Sequence, residues 1–291
     1  MNGAADARPV SGTIPPGLHL VATPIGAARD ITLRALDVLA GADVLMAEDT
    51  RTLRHLMEIH GLAVGKRPLI ACHDHNEAEA AERMLAALQA GKSVAYASEA
   101  GTPLISDPGF TLVRSAVSAG QPVHAVPGAS AVLAALTLSG LPTDRFLFAG
   151  FVPTAAGDRA RYLADLATVP ATLVVYESPR RVARTLAEMA RVFGPDRPAA
   201  LCRELTKRHE EIRRGRLLNL AEELQGAEPK GEIVLVIARA PDRAATADEV
   251  RAALTNALKT MSVKEAVAEV AHHLGVPRKD AYRMALDLAE R

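Results

Sequence analysis

The chain has 291 residues, 49% hydrophobic and 23% charged, a length and balance that suit a globular protein of more than one domain. Lys plus Arg and Asp plus Glu number 34 each, so a net charge of zero argues against a protein that coats nucleic acid non-specifically. With no Trp and 3% aromatic residues, base-stacking platforms are scarce, and no window is apolar for long enough to cross a bilayer.

Residues 1–16 lack a charged-then-apolar leader and read as a loose tail, so the cytoplasm is the expected location, without a membrane. A strand is predicted over 18–22, ending in Thr23-Pro24-Ile25-Gly26, and a helix over 31–40 with Asp30 as its cap. A second strand over 43–47 ends in Glu48-Asp49-Thr50-Arg51, and the helix after it stops at Gly61. A third, 69–72, runs into His73-Asp74-His75-Asn76-Glu77, where Asn76 is placed to cap a helix to residue 90.

The apolar run from Val94 is short enough for a buried strand and breaks at Ser98-Glu99, followed by a loop of small residues and proline. Asp107-Pro108 reads as a helix cap followed by proline at the first helical position. A helix to 119 and a strand over 123–126 complete a strict strand–helix alternation, which implies right-handed crossovers and a parallel sheet. Five strand ends, at Thr23-Pro24, Glu48-Asp49, His73-Asp74-His75, Ser98-Glu99 and Pro127-Gly128, would then meet on the edge where open α/β sheets bind ligands.

Pro127-Gly128-Ala129-Ser130 opens an apolar helix ending near Gly140. A second region has strands at 145–149, 172–176, 199–203, 209–215 and 232–237, some without intervening helices, which predicts a mixed, partly antiparallel sheet. Arg180, Arg181, Arg203, Lys207, Arg208, Arg213 and Arg214 make this region locally basic. From Pro241 only helical periodicity remains, at 248–258, 263–274 and 279–288, with Gly275-Val276-Pro277 as a break. The expected organisation is a tail over 1–16, an α/β domain over 17–128, a second α/β domain over 129–240 and a helical domain over 241–291.

Several chemistries lack their signatures. Gly91-Lys92-Ser93 has Ala86 where a P-loop needs its first glycine, and it precedes a strand instead of following one. No G-x-G-x-x-G follows a strand, and there is no G-x-S-x-G elbow. His73 and His75 lack the third ligand of a zinc site, so no metal is expected. Cys72 and Cys202 each follow an apolar residue and read as buried thiols.

The blocks Ala22-Thr23-Pro24-Ile25-Gly26, Ala47-Glu48-Asp49-Thr50-Arg51, His73-Asp74-His75-Asn76-Glu77 and the run from Gly101 to Gly109 occur in order. After them come Val126-Pro127-Gly128, the run from Gly140 to Phe146, Tyr176-Glu177-Ser178 and Arg203-Glu204-Leu205-Thr206-Lys207. The set resembles the ribosomal RNA small-subunit methyltransferase I family of the tetrapyrrole methylase superfamily. The glycine-rich run alone marks only the superfamily; the second and third blocks point to the ribosomal RNA branch. Two positions depart from the pattern: Ala27 stands where the family usually has Asn, and Glu99 where it has Asp.

The resemblance implies two α/β domains, a parallel and a mixed sheet, with a cofactor cleft between them, a homodimer and a small helical C-terminal domain. It implies S-adenosylmethionine as donor and, as acceptor, the 2′-hydroxyl of a cytidine in the decoding region of 16S rRNA, free or in the small ribosomal subunit. The cofactor-side candidates are Pro24, Ser98, Glu99, Ala100, Gly101, Pro103, Pro127, Gly128, Ser130, Tyr176 and Glu177, with Lys230, Gly231 and Glu232 adding backbone contacts. On the acceptor side Glu48, Asp49, Arg51, His73, Asp74 and His75 are placed to position RNA or accept a proton. Two other functions compete: methylation of a tetrapyrrole or a modified protein side chain, and a non-enzymatic nucleotide sensor that binds nucleic acid.

Overall fold

Five short apolar runs in the first half of the chain pair into one sheet: β1 (Gly17–Val21), β2 (Val44–Ala47), β3 (Leu69–Ala71), β4 (Ser93–Ala97) and β5 (Val123–Val126). The computed structural model describes residues 14–73, 75–227, 229–240 and 246–289. The strand order is β3-β2-β4-β1-β5, and every pairing is parallel. Four helices connect the strands: α1 (Leu33–Gly41), α2 (Thr50–Ile59), α3 (Glu77–Gln89) and α4 (Phe110–Ser118).

The chain crosses the sheet one way from β1 to β3 and back from β3 to β5. Right-handed crossovers therefore put α1 and α2 on one face and α3 and α4 on the other. Packing agrees: Leu39, Leu53 and Met57 share a core with Leu45 and Val21, while Met84, Leu88 and Leu112 share another with Met46 and Tyr96. Covered on both faces, β4 is buried at all its positions, hence the apolar run from Val94. The winding reverses at β3, so the neighbours β2 and β4 send their connections in opposite directions.

The second sheet has β6 (Phe146–Phe151), β7 (Thr172–Glu177), β8 (Pro198–Arg203), β9 (Glu211–Arg216) and β10 (Ile233–Ile237) in the order β6-β7-β10-β8-β9. Only β6 and β7 pair in parallel; the other three pairings are antiparallel. Helices α6 (Ala156–Leu166), α7 (Val182–Phe193) and α8 (Leu217–Glu223) cover one face through Leu163, Leu186, Met189 and Leu220. The other face receives α5 (Ala131–Ser139), whose Val132, Ala135 and Leu136 pack on Val174, Ala200 and Val236. Ile25, from the loop after β1, belongs to that same core and joins the two sheets. Each fully buried aliphatic side chain of this kind contributes roughly 2 kcal/mol.

The described residues up to Arg239 form one compact unit holding both sheets, and those from Ala240 form a second. The second unit is three helices, α9 (Ala247–Ala257), α10 (Val263–Leu274) and α11 (Arg278–Ala289), packed around Leu254, Val270 and Ala281. Capping boxes at Thr246/Glu249 and Ser262/Glu265 start α9 and α10, and left-handed Gly275 ends α10.

Local expectations fail at three helix starts. Thr32, not Asp30, caps α1, its hydroxyl accepting from the Ala35 N–H at 3.1 Å. Gly109, not Asp107, occupies the cap position of α4. Asn76 sits at the cap of α3, but its side chain points back, accepting from the His73 N–H at 2.8 Å and donating to the Ala71 carbonyl at 3.0 Å. Of the expected tail, residues 1–13 lie outside the described residues, while Ile14 packs against the α1–α2 core. Both cysteines are buried and neither forms a disulfide; burial pushes the Cys202 thiol up to about 11.

Candidate functional site

Because the first sheet is wholly parallel, its five strand ends share one edge, as the alternation of elements requires. The centre of that edge is stitched together. Thr23 and Gly101 exchange backbone hydrogen bonds at 2.9 and 3.1 Å. The Thr23 hydroxyl donates to the Ser98 carbonyl at 3.2 Å, and the Ser98 hydroxyl donates to the Gly101 carbonyl at 2.5 Å. Thr102 reaches the Ala129 carbonyl at 3.1 Å, tying the ends of β4 and β5. Thr23 and Ser98 are thus buried ties of that edge, with hydroxyls already engaged.

Away from the centre the edge is open. Asp49 caps α2, accepting from the Arg51 N–H at 2.7 Å, and its carboxylate pairs with the Arg51 guanidinium at 3.0 Å. Those bonds hold the Asp49 carboxyl below its ordinary range. The Arg51 side chain is 91% exposed, so the pair faces solvent. His73 and His75 are exposed, their rings 6.1 Å apart and edge-on. Glu48 sits half-buried at the end of β2; Asp74 lies outside the described residues.

A cavity of about 310 Å³ opens between the loops of the parallel sheet and the end of the mixed one. Ile25, Ala131, Phe151, Leu205, Ile233 and Val234 give it an apolar wall, and Asp107, Tyr176, Ser178 and Glu232 bring polar atoms. Among the cofactor-side candidates, Ala100, Tyr176, Glu177 and Gly231 line it. Pro24, Glu99, Gly101 and Ser130 are chain neighbours of lining residues, Ser98 and Pro103 lie a step further back, and Pro127 and Gly128 lie further still along the chain. Lys230 presents its carbonyl to Arg203 at 3.0 Å. Glu48, Asp49, Arg51, His73 and His75 are not among the lining residues and belong to the neighbouring rim. Residues that the sequence reading omitted include Ile25, Ile105, Ser106, Asp107, Phe151 and Leu205, while Glu232, named with Lys230 and Gly231, does line the cavity. Most adjoin a candidate or lie inside a motif block, which was the available signal.

The loops carrying two motif blocks, 22–26 and 203–207, meet the stretch 231–232 at one end of the cavity. The Ala27 N–H donates to the Thr206 hydroxyl at 3.0 Å, docking the loop after β1 on the loop after β8. Glu204 accepts from the Glu232 N–H at 3.0 Å and from Lys207 at 3.1 Å, and Lys207 also pairs with Glu232 at 3.1 Å. Chiefly through that backbone bond, the Glu204 carboxyl lies below its ordinary range. Gly231 has φ +93°, and a Cβ there would lie 2.3 Å from the Glu204 carboxyl carbon, so only glycine fits beneath it. Glu204 and Thr206 are themselves left-handed, with φ of 50° and 61°, a concentration of backbone strain typical of ligand-holding loops.

Charges inside the cavity are unequal in freedom. Glu177 is buried, and its carboxylate is fully engaged by the Ser178 N–H at 2.5 Å, the Thr185 hydroxyl at 2.6 Å and Arg181 at 2.7 Å. Its carboxylate therefore anchors the start of α7. Burial, with the charges of Asp107 and Glu232, pushes the Tyr176 hydroxyl up to about 12. Burial first, then the charges of Glu48 and Glu99, push the Asp107 carboxyl up to about 7.

The basic residues of the mixed sheet are largely spent on internal pairs. Arg203 and Arg213 both bind Glu211, at 2.9 and 2.7 Å, Arg181 binds Glu177, and Arg214 binds the Leu138 carbonyl. Arg180 and Arg208 remain exposed without an ion pair among the described residues. The C-terminal unit has its own groove of about 430 Å³, lined by Lys264, Arg278, Lys279 and Tyr282 over Val267 and Ala268.

Comparison with known proteins covers nearly the whole chain. The profile of the tetrapyrrole (corrin/porphyrin) methylases matches residues 17–221, and that of the RsmI C-terminal HTH domain matches 244–289. The ribosomal RNA small subunit methyltransferase I of Mesorhizobium japonicum is 47% identical over 98% of this chain and 95% of its own. The protein of that name from Pseudomonas aeruginosa is 43% identical over 92% of this chain and 96% of its own. The uroporphyrin-III C-methyltransferase of Thermus thermophilus, solved with S-adenosylhomocysteine, superposes with a TM-score of 0.53 over 76% of this chain and 97% of that one, at 24% identity. The cobalt precorrin-4 methyltransferase CbiF gives a TM-score of 0.55 over 75% and 93%, at 21% identity. At those identities the two structures speak for the fold alone.

Proposed function

Because this chain belongs to the tetrapyrrole methylase family, in its ribosomal RNA small subunit methyltransferase I branch, we propose that it uses S-adenosylmethionine to methylate the 2′-hydroxyl of a cytidine ribose in the decoding region of 16S rRNA. The observation that carries this reading is the cavity between the loops of the two sheets, with residues of motif blocks from both at its walls.

The cavity's residues fit such a donor. Ile25, Ala131, Leu205 and Val234 offer an apolar surface for a purine, and the backbone around Ala100 and Gly231 approaches without bulky side chains. Asp107 and Glu232 supply negative charge toward a cationic group. When bound, the donor supplies a methyl activated by its sulfonium, so the protein's work is to position the reactants and manage one proton. Glu48, Asp49, Arg51, His73 and His75 line the rim at which a large acceptor would dock, and Asp74, outside the described residues, is proposed with them. The groove of Lys264, Arg278 and Lys279 supports an acceptor with a phosphate backbone. Domains over 17–128 and 129–240 divide the labour, with rim and crevice from the first and the cavity's far wall from the second.

An rRNA acceptor implies a cytoplasmic protein; no described helix is long and apolar enough to cross a membrane. Exposed Phe110, Val117 and Leu133, each more than half accessible, support a homodimer, which sedimentation would test.

The deciding experiment supplies methyl-labelled donor with small ribosomal subunits, naked 16S rRNA or a tetrapyrrole. Label in rRNA, on a ribose whose 3′ linkage has become resistant to alkali, is the expected result. Label on a base or a tetrapyrrole, or none at all, overturns the proposal.

A further inference from the structure

We infer that the groove of the C-terminal unit holds one unpaired nucleotide of the RNA, its base stacked on Tyr282 and its flanking phosphates on Lys264, Arg278 and Lys279. The inference rests on the reading above for its partner, ribosomal RNA. It goes further in assigning this unit to an unpaired segment and not to a duplex backbone.

Helix spacing builds the groove. On α10, Lys264, Val267 and Ala268 stand three and four residues apart and share a face; on α11, Arg278 and Lys279 stand four and three residues before Tyr282 and share another. The break after left-handed Gly275 (φ +62°) turns the chain so that both faces line one groove. Val267 belongs at once to the groove and to the unit's own core, so the floor is fixed by packing. The space is about 430 Å³, enough for one small planar ligand.

The lining is apolar at the floor and cationic at the edges. Tyr282 is 49% exposed, whereas Tyr96 is fully buried and Tyr162 and Tyr176 are half-buried. The Tyr282 ring stacks on no other ring among the described residues. Lys264, Arg278 and Lys279 are exposed, and none of them pairs with a carboxylate among the described residues. The acidic neighbours are engaged elsewhere. Glu265 accepts from the Ser262 N–H at 3.0 Å and from its hydroxyl at 2.6 Å, and Asp280 pairs with Arg283 at 3.4 Å.

Each part of the groove answers one part of a nucleotide. The phenol ring offers a face to a base, Val267 and Ala268 keep water from beneath it, and the three cations meet phosphates. A duplex would use the cations but not the slot, because its bases are already stacked on one another. Bases splayed out of loops, bulges and ends are the ones recognised by stacking on aromatic side chains. An apolar protein segment would fill the slot but leave three positive charges unmatched, so a polyanion is the better occupant.

The test uses the full-length protein without donor. Its probes are a short single-stranded RNA of mixed sequence and the fully paired RNA duplex of the same length, with affinities read by anisotropy over a range of salt. Tyr282→Leu keeps an apolar side chain but loses the stacking face. It should bind the single strand about tenfold more weakly, with an unchanged salt slope, since no phosphate contact is lost. Tyr282→Phe should stay within about twofold of wild type, because the stacking face remains. The duplex should bind more weakly than the single strand and equally well to wild type and Tyr282→Leu. The chain has no Trp, so Tyr282→Trp introduces a single reporter, whose emission should be quenched by the single strand and not by the duplex. Wild-type single-strand affinity in Tyr282→Leu, an equal loss on the duplex, or an unquenched Trp overturns the inference, as does a wild type that binds neither RNA. The catalytic reading is tested apart from this: a protein that methylates rRNA but fails these tests loses only the nucleotide groove, and one that passes them but methylates no RNA loses only the activity.

Discussion

The cavity and the rim lie side by side but are built to opposite specifications. The cavity's wall comes from buried strands and from loops whose polar groups are already bonded to one another: Thr23 to Ser98, Ala27 to Thr206, Glu204 to Glu232 and Lys207. The rim exposes His73, His75 and Arg51 on loop and helix ends, with few internal ties. A preformed pocket suits a small ligand that must be held in one pose, whereas exposed polar side chains suit a large partner that brings its own structure. The contrast implies that mutations in the two regions separate donor affinity from turnover.

The sharpest way to break the contrast is Gly231→Ala. A left-handed alanine costs roughly 1–2 kcal/mol, and displacing Glu204 sacrifices charged hydrogen bonds of roughly 1.5–3 kcal/mol each. Donor affinity should fall about a hundredfold or more by calorimetry, with a lower melting temperature. Wild-type affinity in a folded Gly231→Ala protein would show that the cavity is not the donor site.

How legible this was from sequence follows the range of the interactions involved. Strict strand–helix alternation implies parallel strands with ends on one edge, because handedness and strand direction are local constraints repeated four times. Asp107 was misread as a cap for the opposite reason. Its apparent signature, Asp-Pro-Gly before a helix, is local, while the cap that exists is Glu77, more than thirty residues upstream with no local mark. The ion pairs of the second region carry no local mark either: Arg203 meets Glu211 only because β8 and β9 pair antiparallel. Phe151 entered the cavity through tertiary placement that periodicity does not encode.

On the rim, Asp49→Asn keeps a capping side chain while removing the charge, and His75→Ala removes an exposed ring. Each should lower turnover by about tenfold while donor affinity changes less than about twofold, since positioning groups act on the bound acceptor. Parallel losses in both quantities would erase the distinction between rim and cavity. In the C-terminal unit, replacing Lys264 and Lys279 together by alanine should weaken rRNA affinity by about tenfold at moderate salt and reduce the salt slope by about two. An unchanged slope would remove the groove from the acceptor surface.

The smallest effect sharpens the border between the two regions. Glu99 adjoins Ala100 of the cavity wall, yet its side chain is exposed to water. Its attraction for a cationic donor therefore acts through high dielectric and is screened within about 10 Å at ordinary salt. Glu99→Ala should weaken donor binding by only about threefold at low salt, and the gap between variant and wild type should close as salt is raised. Glu99→Gln should behave the same, because charge and not reach is what is lost. A Glu99→Ala loss of a hundredfold that persists at high salt would instead make Glu99 a direct, desolvated contact, and would move the border of the donor site outward onto the rim.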